Sequence, residues 1–462
     1  MKKFDLIIIG GGRASNLAIK VASKNKKVAL IEKSKLGGTC PNRGCVPSKL
    51  LIGYAHVARD IKESKRHFID ASIQNIDLAK IFEETNNYIS QIDERYESRF
   101  NENVTVFRAE GSFISNHIVR VNDEEITAPK IVIATGTRPI EAPHEKAWTS
   151  DDIFPLKGKI PKSITIVGSG FIACELANFF AAVGIETKLV VRSQRLLSNE
   201  DADISEIFKK EFSKNVDIVF DTSIQDIKYE NDAFELKLIN KNNETSSYNS
   251  EALLYATGRK ANADTLNLQN TDIKTDERGF IKRDNYFETS VKDVYVVGDA
   301  SGEHMLQHSA SVEVNHLGKI LLEETNLPNT FKYMPHAVFT DPEITSVGMS
   351  EEAVKKSGQA YISTMTNWLA SAKAMSTRLN YPRTKFIVNP DTYEILGCHM
   401  IGPESSTMMH QVLSVMHIDN DIRHLKEMLY IHPALSEALL PAAVEAVSEV
   451  EKYKKKFINL LF

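Results

Sequence analysis

Cysteine is scarce in this chain, with four in 462 residues, which excludes a secreted scaffold stapled by disulfides. Long apolar runs are missing too, and nothing approaches the ~20 residues that span a bilayer. In "MKKFDLIIIGGG" the run Leu6 to Ile9 is broken by glycine before it reaches the length of a signal-peptide core, so a cytoplasmic protein is expected. Charge of one sign is lacking: the formal net charge is −5 and the pI near 6.3, which gives no reason to expect a nucleic-acid or membrane partner. No low-complexity linker separates the segments, although 462 residues exceed what one core supports and imply two to four domains.

What is present is a repeated nucleotide pattern. "DLIIIGGGRASNLAIKVASKNKKVALIEKS" reads as strand, glycine turn, helix and strand. Gly10 and Gly12 hold the first two glycine places of a dinucleotide fingerprint, and Glu32 ends the second strand where an acid accepts from ribose hydroxyls. Ser15 takes the third glycine place, a departure expected to loosen helix–strand packing slightly. "SITIVGSGFIACELANFFAAVGIETKLVVRS" repeats the pattern with Gly168, Gly170 and Ala173, but its second strand ends at Arg192, with Arg195 close behind. Arginines there suit the 2′-phosphate of NADPH, which an acid would repel; the plainer reading is two solvated charges. Apolar strands running into Thr-Gly follow each fingerprint, at Gly136 and Gly258, and "VYVVGDAS" places Asp299 beyond a further strand end. The expected fold is α/β, with two doubly wound, Rossmann-like domains packed together. Between them, "YENDAFELKLINKNNETSSYNSE" alternates like antiparallel strands joined by Asn-rich turns.

Half the cysteines sit in "GGTCPNRGCVPSK", at Cys40 and Cys45. A metal site lacks further ligands at the right spacing, and a structural disulfide suits a reducing cytoplasm poorly. Two buried free thiols and a redox-active dithiol remain open. A helix starting near Pro47 or Ser48 would put Cys45 at its positive end, with Arg43 and Lys49 adding charge.

Taken in order, "GGTCPNRGCVPSK", "GSGFIACE", "ATGT", "ATGR", "VGDA" and "IHPALSE" resemble, over nearly the full length, the FAD-dependent pyridine nucleotide–disulfide oxidoreductases of the glutathione reductase and dihydrolipoamide dehydrogenase group. "IVGSGFIACE", "TGRKANAD" and "IHPAL" look most like the mycothione reductases of that group. The resemblance implies an FAD-binding domain in 1–145 carrying the thiol pair, an NADPH domain in 146–272, a returning central part in 273–335 and a C-terminal α+β dimerisation domain in 336–462. It further implies that Gly10, Gly12, Glu32, Thr39, Gly136 and Asp299 hold FAD, and that Gly168, Gly170, Glu175, Arg192, Arg195 and Gly258 serve NADPH. Lys49 would pair with Glu175 near the flavin, and Phe171 would stand as an aromatic gate. Electrons would pass from NADPH through FAD to a Cys40–Cys45 disulfide, with Cys45 facing the flavin and Cys40 attacking substrate. His432 and Glu437, given across a homodimer, would act as the base pair; from the residues alone the plainer alternative is a helix-capping histidine in a packed interface.

The disulfide reduced is less legible. Arg13, Lys20 and Arg43, with Arg95 and Arg99 beside them, suggest a small anionic thiol disulfide as substrate, against the reading of ordinary surface charges. "KKKFINLLF" carries no cysteine pair and no heavy-metal domain precedes Met1, so a thioredoxin or mercuric reductase is not expected. Dihydrolipoamide dehydrogenase with NAD is the alternative enzyme, and a redox-silent nucleotide-binding scaffold the alternative from another class. The closing "EKYKKKFINLLF" is read as a solvated turn with a packed tail and given no function; His304, His308 and His316 are read as cleft or interface residues, and no metal is expected.

Overall fold

Leu6–Ile9 is the middle of a five-stranded parallel sheet in the order Val294–Val296, Lys130–Ile133, Leu6–Ile9, Val28–Ile31, Val104–Phe107. The computed structural model describes residues 1–330 and 332–461, with side chains through Lys456. Successive residues of a strand point to opposite faces, so a sheet covered on both sides needs an unbroken apolar run. Ile7, Ile9, Ala29 and Ile31 enter one core with Phe113, Val119 and Ile126 of an antiparallel sheet. Leu6, Ile8, Val28 and Leu30 enter the other with Leu17, Val21, Val314 and Leu317 of two helices, Ser15–Ala22 and Gln307–Leu321. These elements belong to one compact unit, Met1–Leu51, Asp77–Ile160 and Thr257–Phe331.

A second unit comprises Ile52–Ile76, Pro161–Ala256 and Lys332–Phe462. It holds parallel strands in the order Ala252–Tyr255, Ser163–Val167, Glu186–Val190, Asp217–Val219, with helix Phe171–Ala182 after the second fingerprint. The polar stretch forms the antiparallel strands Thr222–Glu230, Ala233–Asn240 and Thr245–Ser250. Its turns need positive φ, which Asn231 (54°), Asp232 (60°) and Asn243 (64°) supply. The last segment is a five-stranded antiparallel sheet against helices Ser405–Ile418 and Leu439–Leu461, packed through Phe386, Met400, Val412, Leu439 and Ala443.

Two local expectations change. The lysine cluster of the tail lies in the last turns of helix Leu439–Leu461 and not in a turn; Lys452 pairs with Glu449, while the apolar side chains beyond Lys456 lie outside the described residues. Ser15 does not loosen its helix: it is fully buried and its hydroxyl donates to the Gly11 carbonyl at 2.7 Å. No described helix is long and apolar enough to cross a membrane.

Candidate active site

The thiol pair sits on two consecutive helical segments, Thr39–Arg43 and Cys45–Lys62. The longer helix starts at Cys45 itself, two or three residues before the start expected near Pro47 or Ser48. Ser48 N–H already bonds the Gly44 carbonyl at 3.0 Å, and Pro47 is tolerated because first-turn N–H groups have no intrahelical acceptor. Cys45 is therefore exposed at the positive end of an 18-residue helix. Cys40, half-buried, is hydrogen-bonded to Cys45. That bond, then burial and the charge of the neighbouring thiol, push the Cys40 thiol well above its usual range, while the Arg13 guanidinium pulls it down. Cys174 and Cys398 are buried, and burial raises both thiols far out of reach of ionisation.

The cations expected around the pair have separate fates. Lys20 is committed to Glu324 at 3.0 Å, and Arg43 to Asp151 at 3.3 Å and the Ser34 hydroxyl at 3.2 Å. Arg95 bonds Gln91 at 2.6 Å, and Arg99 lies over the Tyr96 ring. Arg13 makes no ion pair among the described residues, and its Nε is buried without a hydrogen-bond partner.

Both fingerprints are built alike. The Gly10 N–H donates to Ile31 at 2.8 Å and the Ala134 N–H to Ile9 at 2.7 Å; Gly168 repeats the first bond to Val190 at 3.1 Å and Ala256 the second to Val167 at 2.8 Å. Gly10 (φ +111°) and Gly168 (φ +146°) are both obligatory, since an added Cβ would stand 2.2 Å from the Ala134 oxygen and 2.4 Å from that of Ala256. A Cβ on Gly38 would meet the Gly12 Cα at 2.8 Å, so Gly12 and Gly38 keep two backbones bare against each other. Glu32 takes the Gly11 and Ser34 N–H groups, both at 2.7 Å, and the Thr135 hydroxyl is buried without a partner. A bare glycine backbone, an anchored acid and an unused hydroxyl fit the pyrophosphate and ribose of a dinucleotide such as FAD.

Asp299 lies in the turn Gly298–Ser301 and accepts from the Thr137 hydroxyl at 3.0 Å. Burial pushes its carboxyl up, opposed by Thr137 and Arg259. Gly136 and Gly258 both take positive φ at the two Thr-Gly turns, and Thr39 is exposed at the head of the first thiol segment. Sequence reasoning missed what holds this corner. Arg283 and Glu313, 6% and 0% exposed, form a bidentate pair at 2.9 Å, and Glu313 also takes the Gly298 N–H at 2.7 Å. Only an acid set between two valines, in "SVEVNHLG", hinted at it.

In the second unit, Gly170 caps helix Phe171–Ala182 in open space and Phe171 is 48% exposed. Glu175 is buried and accepts the Phe339 N–H at 3.0 Å; Lys49, half-buried, is in the first unit. Arg192 is exposed, whereas Arg195 is bonded to Glu352 at 2.8 Å and to the Ser205 hydroxyl at 3.2 Å. His432 Nδ1 lies 2.9 Å from Glu437 Oε1, and Glu437 Oε2 takes the Ala434 N–H at 3.1 Å. His316 bonds the Leu327 carbonyl at 2.9 Å, and no group of three metal-ligating side chains occurs among the described residues.

Residues 4–313 match the model of the pyridine nucleotide-disulphide oxidoreductases, and residues 334–443 match the dimerisation domain of the same family. A dihydrolipoyl dehydrogenase of Buchnera aphidicola subsp. Acyrthosiphon pisum is 30% identical over 446 residues, covering 94% of each chain. A mercuric reductase of Staphylococcus aureus is 28% identical over 97% of this chain and 83% of its own. The structure of the HOCl-induced flavoprotein disulfide reductase RclA from Escherichia coli superposes with a TM-score of 0.83 at 26% identity, over 94% of this chain and 98% of that one. With two matching domain models spanning most of its length, the chain belongs to the pyridine nucleotide-disulphide oxidoreductase family.

Proposed function

We propose that this flavoprotein disulfide oxidoreductase reduces a small anionic disulfide with electrons from NADPH, through Cys40 and Cys45. The observation that carries the reading is the hydrogen-bonded thiol pair at a helix start, with Arg13 beside Cys40. FAD, when bound, would take the electron pair of the reduced nicotinamide and deliver it to the Cys40–Cys45 disulfide. Gly10, Gly12, Gly38, Glu32, Thr39, Thr135, Gly136 and Asp299 would hold it; Gly168, Gly170, Gly258 and Arg192 would serve the nicotinamide nucleotide. Lys49 and Glu175 belong to the reading as the pair that supports the reduced ring.

In the dithiol, Cys40 gives up its proton and attacks one substrate sulfur; the substrate S–S bond breaks and the first thiol leaves with a proton. The Cys45 thiolate then attacks Cys40, restoring the disulfide and releasing the second thiol as a thiolate that takes its proton from water, so the substrate receives two electrons, one proton from Cys40 and one from solvent. His432, oriented by Glu437, is the group that takes and returns the proton, supplied by the second subunit of a homodimer. Support for that placement is its surface: Leu429, Ile431 and the His432 side chain are 96%, 80% and 75% exposed in the single chain, an apolar rim that a partner would cover.

A second reading, dihydrolipoamide oxidation with NAD, is favoured by the commitment of Lys20 to Glu324 and of Arg43 to Asp151, which leaves Arg13 as the one of the three expected cations with no ion pair among the described residues. Steady-state assays with NADPH and NADH against glutathione, mycothiol, bacillithiol, coenzyme A, γ-glutamylcysteine and trypanothione disulfides and lipoamide separate them. NADPH-dependent turnover of an anionic disulfide supports the first reading; activity confined to lipoamide and NAD overturns it.

A further inference from the structure

We propose that Glu352, outside the nucleotide fold and on the first turn of helix Glu351–Ser357, sets coenzyme preference by occupying the Arg195 Nη1 that a 2′-phosphate would use. The proposal rests on the reading that the second fingerprint binds the nicotinamide nucleotide.

Strand Glu186–Val190 ends beside Arg192, which is exposed and makes no ion pair among the described residues. Arg195 differs. Its Nε donates to the Ser205 hydroxyl at 3.2 Å, Nη2 to the Glu200 carbonyl, and Nη1 to Glu352 Oε1 at 2.8 Å. All three nitrogens are engaged, yet only the Glu352 partner carries charge. Glu352 cannot drift, because the turn it sits on is fastened to the same loop: the Glu351 N–H donates to Asp201 at 3.0 Å, and the buried Lys385 ammonium joins Asp201, Asp203 and Glu351 at 2.9, 2.6 and 2.7 Å.

The Arg195 and Glu352 side chains are 31% and 51% exposed, and such a pair contributes little by itself. A phosphate dianion binds a guanidinium through two charge-assisted bonds and displaces the carboxylate. Displacement leaves a fixed negative charge next to the phosphate, a penalty that NADH, with a plain ribose, never meets. Glu352 therefore lowers the NADPH preference that Arg192 and Arg195 would give together. Ser205 and Glu200 keep the guanidinium in place when Glu352 is neutralised, so its Nη1 becomes available without loss of the loop.

The test is flavin reduction of the holoenzyme by NADPH and by NADH in rapid mixing, for the wild type and for Glu352→Gln, Glu352→Asp and Arg192→Gln. Glu352→Gln should tighten NADPH by about three- to tenfold with NADH unchanged, and Glu352→Asp should keep the wild-type ratio. An unchanged NADPH/NADH ratio in Glu352→Gln, or an equal shift for both coenzymes, overturns the proposal. Arg192→Gln reports separately on the underlying reading: if it leaves the ratio untouched, the site does not read a 2′-phosphate through this strand end, whatever Glu352→Gln does.

Discussion

Glu437 grips His432 Nδ1 at 2.9 Å while its other oxygen holds the Ala434 N–H, so the carboxylate fixes the imidazole against its own backbone. The hydrogen bond from His432 holds the Glu437 carboxyl below its ordinary range, so the acid stays charged at every pH where a thiol exchanges. One ring nitrogen is occupied and the other is left for proton transfer. His432→Ala should cut disulfide turnover by about 10²–10⁴-fold, the usual contribution of a placed acid–base group, and leave flavin reduction by the nicotinamide nearly intact. Half-reaction kinetics check this; equal loss in both steps would contradict the role.

Arg13 is the charge that offsets the high Cys40 thiol. Removing it takes away a lowering influence, so Cys40 ionises at still higher pH. Arg13→Gln should move the alkaline rise of disulfide turnover to higher pH and weaken KM for carboxylate-bearing disulfides more than for lipoamide. A pH–rate profile with both substrates reads the two effects, and a variant that only loses FAD would instead assign Arg13 to the pyrophosphate.

Arg283 and Glu313 place a buried ion pair behind the Asp299 turn. Truncating one partner strands a charge, which costs about 3–5 kcal/mol. Arg283→Met should lower Tm and release FAD more readily, since Glu313 also positions the Gly298 N–H. Thermal melts with and without added FAD measure both; an unchanged Tm would remove the pair from the support of the site.

Two glycines separate a structural demand from a tolerated one. Gly10→Ala drives a Cβ to 2.2 Å from a backbone oxygen at φ +111°, and should yield no flavin-loaded protein. Gly53 lies in helix Cys45–Lys62 with nothing within 4 Å of its would-be Cβ. Gly53→Ala should stabilise the protein by roughly 0.5–1 kcal/mol, seen as a higher Tm at unchanged activity.

The sequence alone determined the two nucleotide units, the thiol pair and the His432–Glu437 dyad. Those features are local: an unbroken apolar run before a glycine turn, a cysteine spacing, an acid five residues from a histidine. Each is enforced by backbone geometry or a short-range bond that neighbouring residues already encode. The start of the thiol helix lies two or three residues earlier than expected because Gly44, not a side-chain cap, accepts its first bond. Only the tertiary structure decided which charges remain available. Lys20 meets Glu324 across 304 residues and Arg195 meets Glu352 across 157, and no periodicity foretells such a meeting. A charge pairs with whatever the fold brings within a few ångströms, so among the expected substrate and phosphate cations it is packing that leaves Arg13 and Arg192 uncommitted.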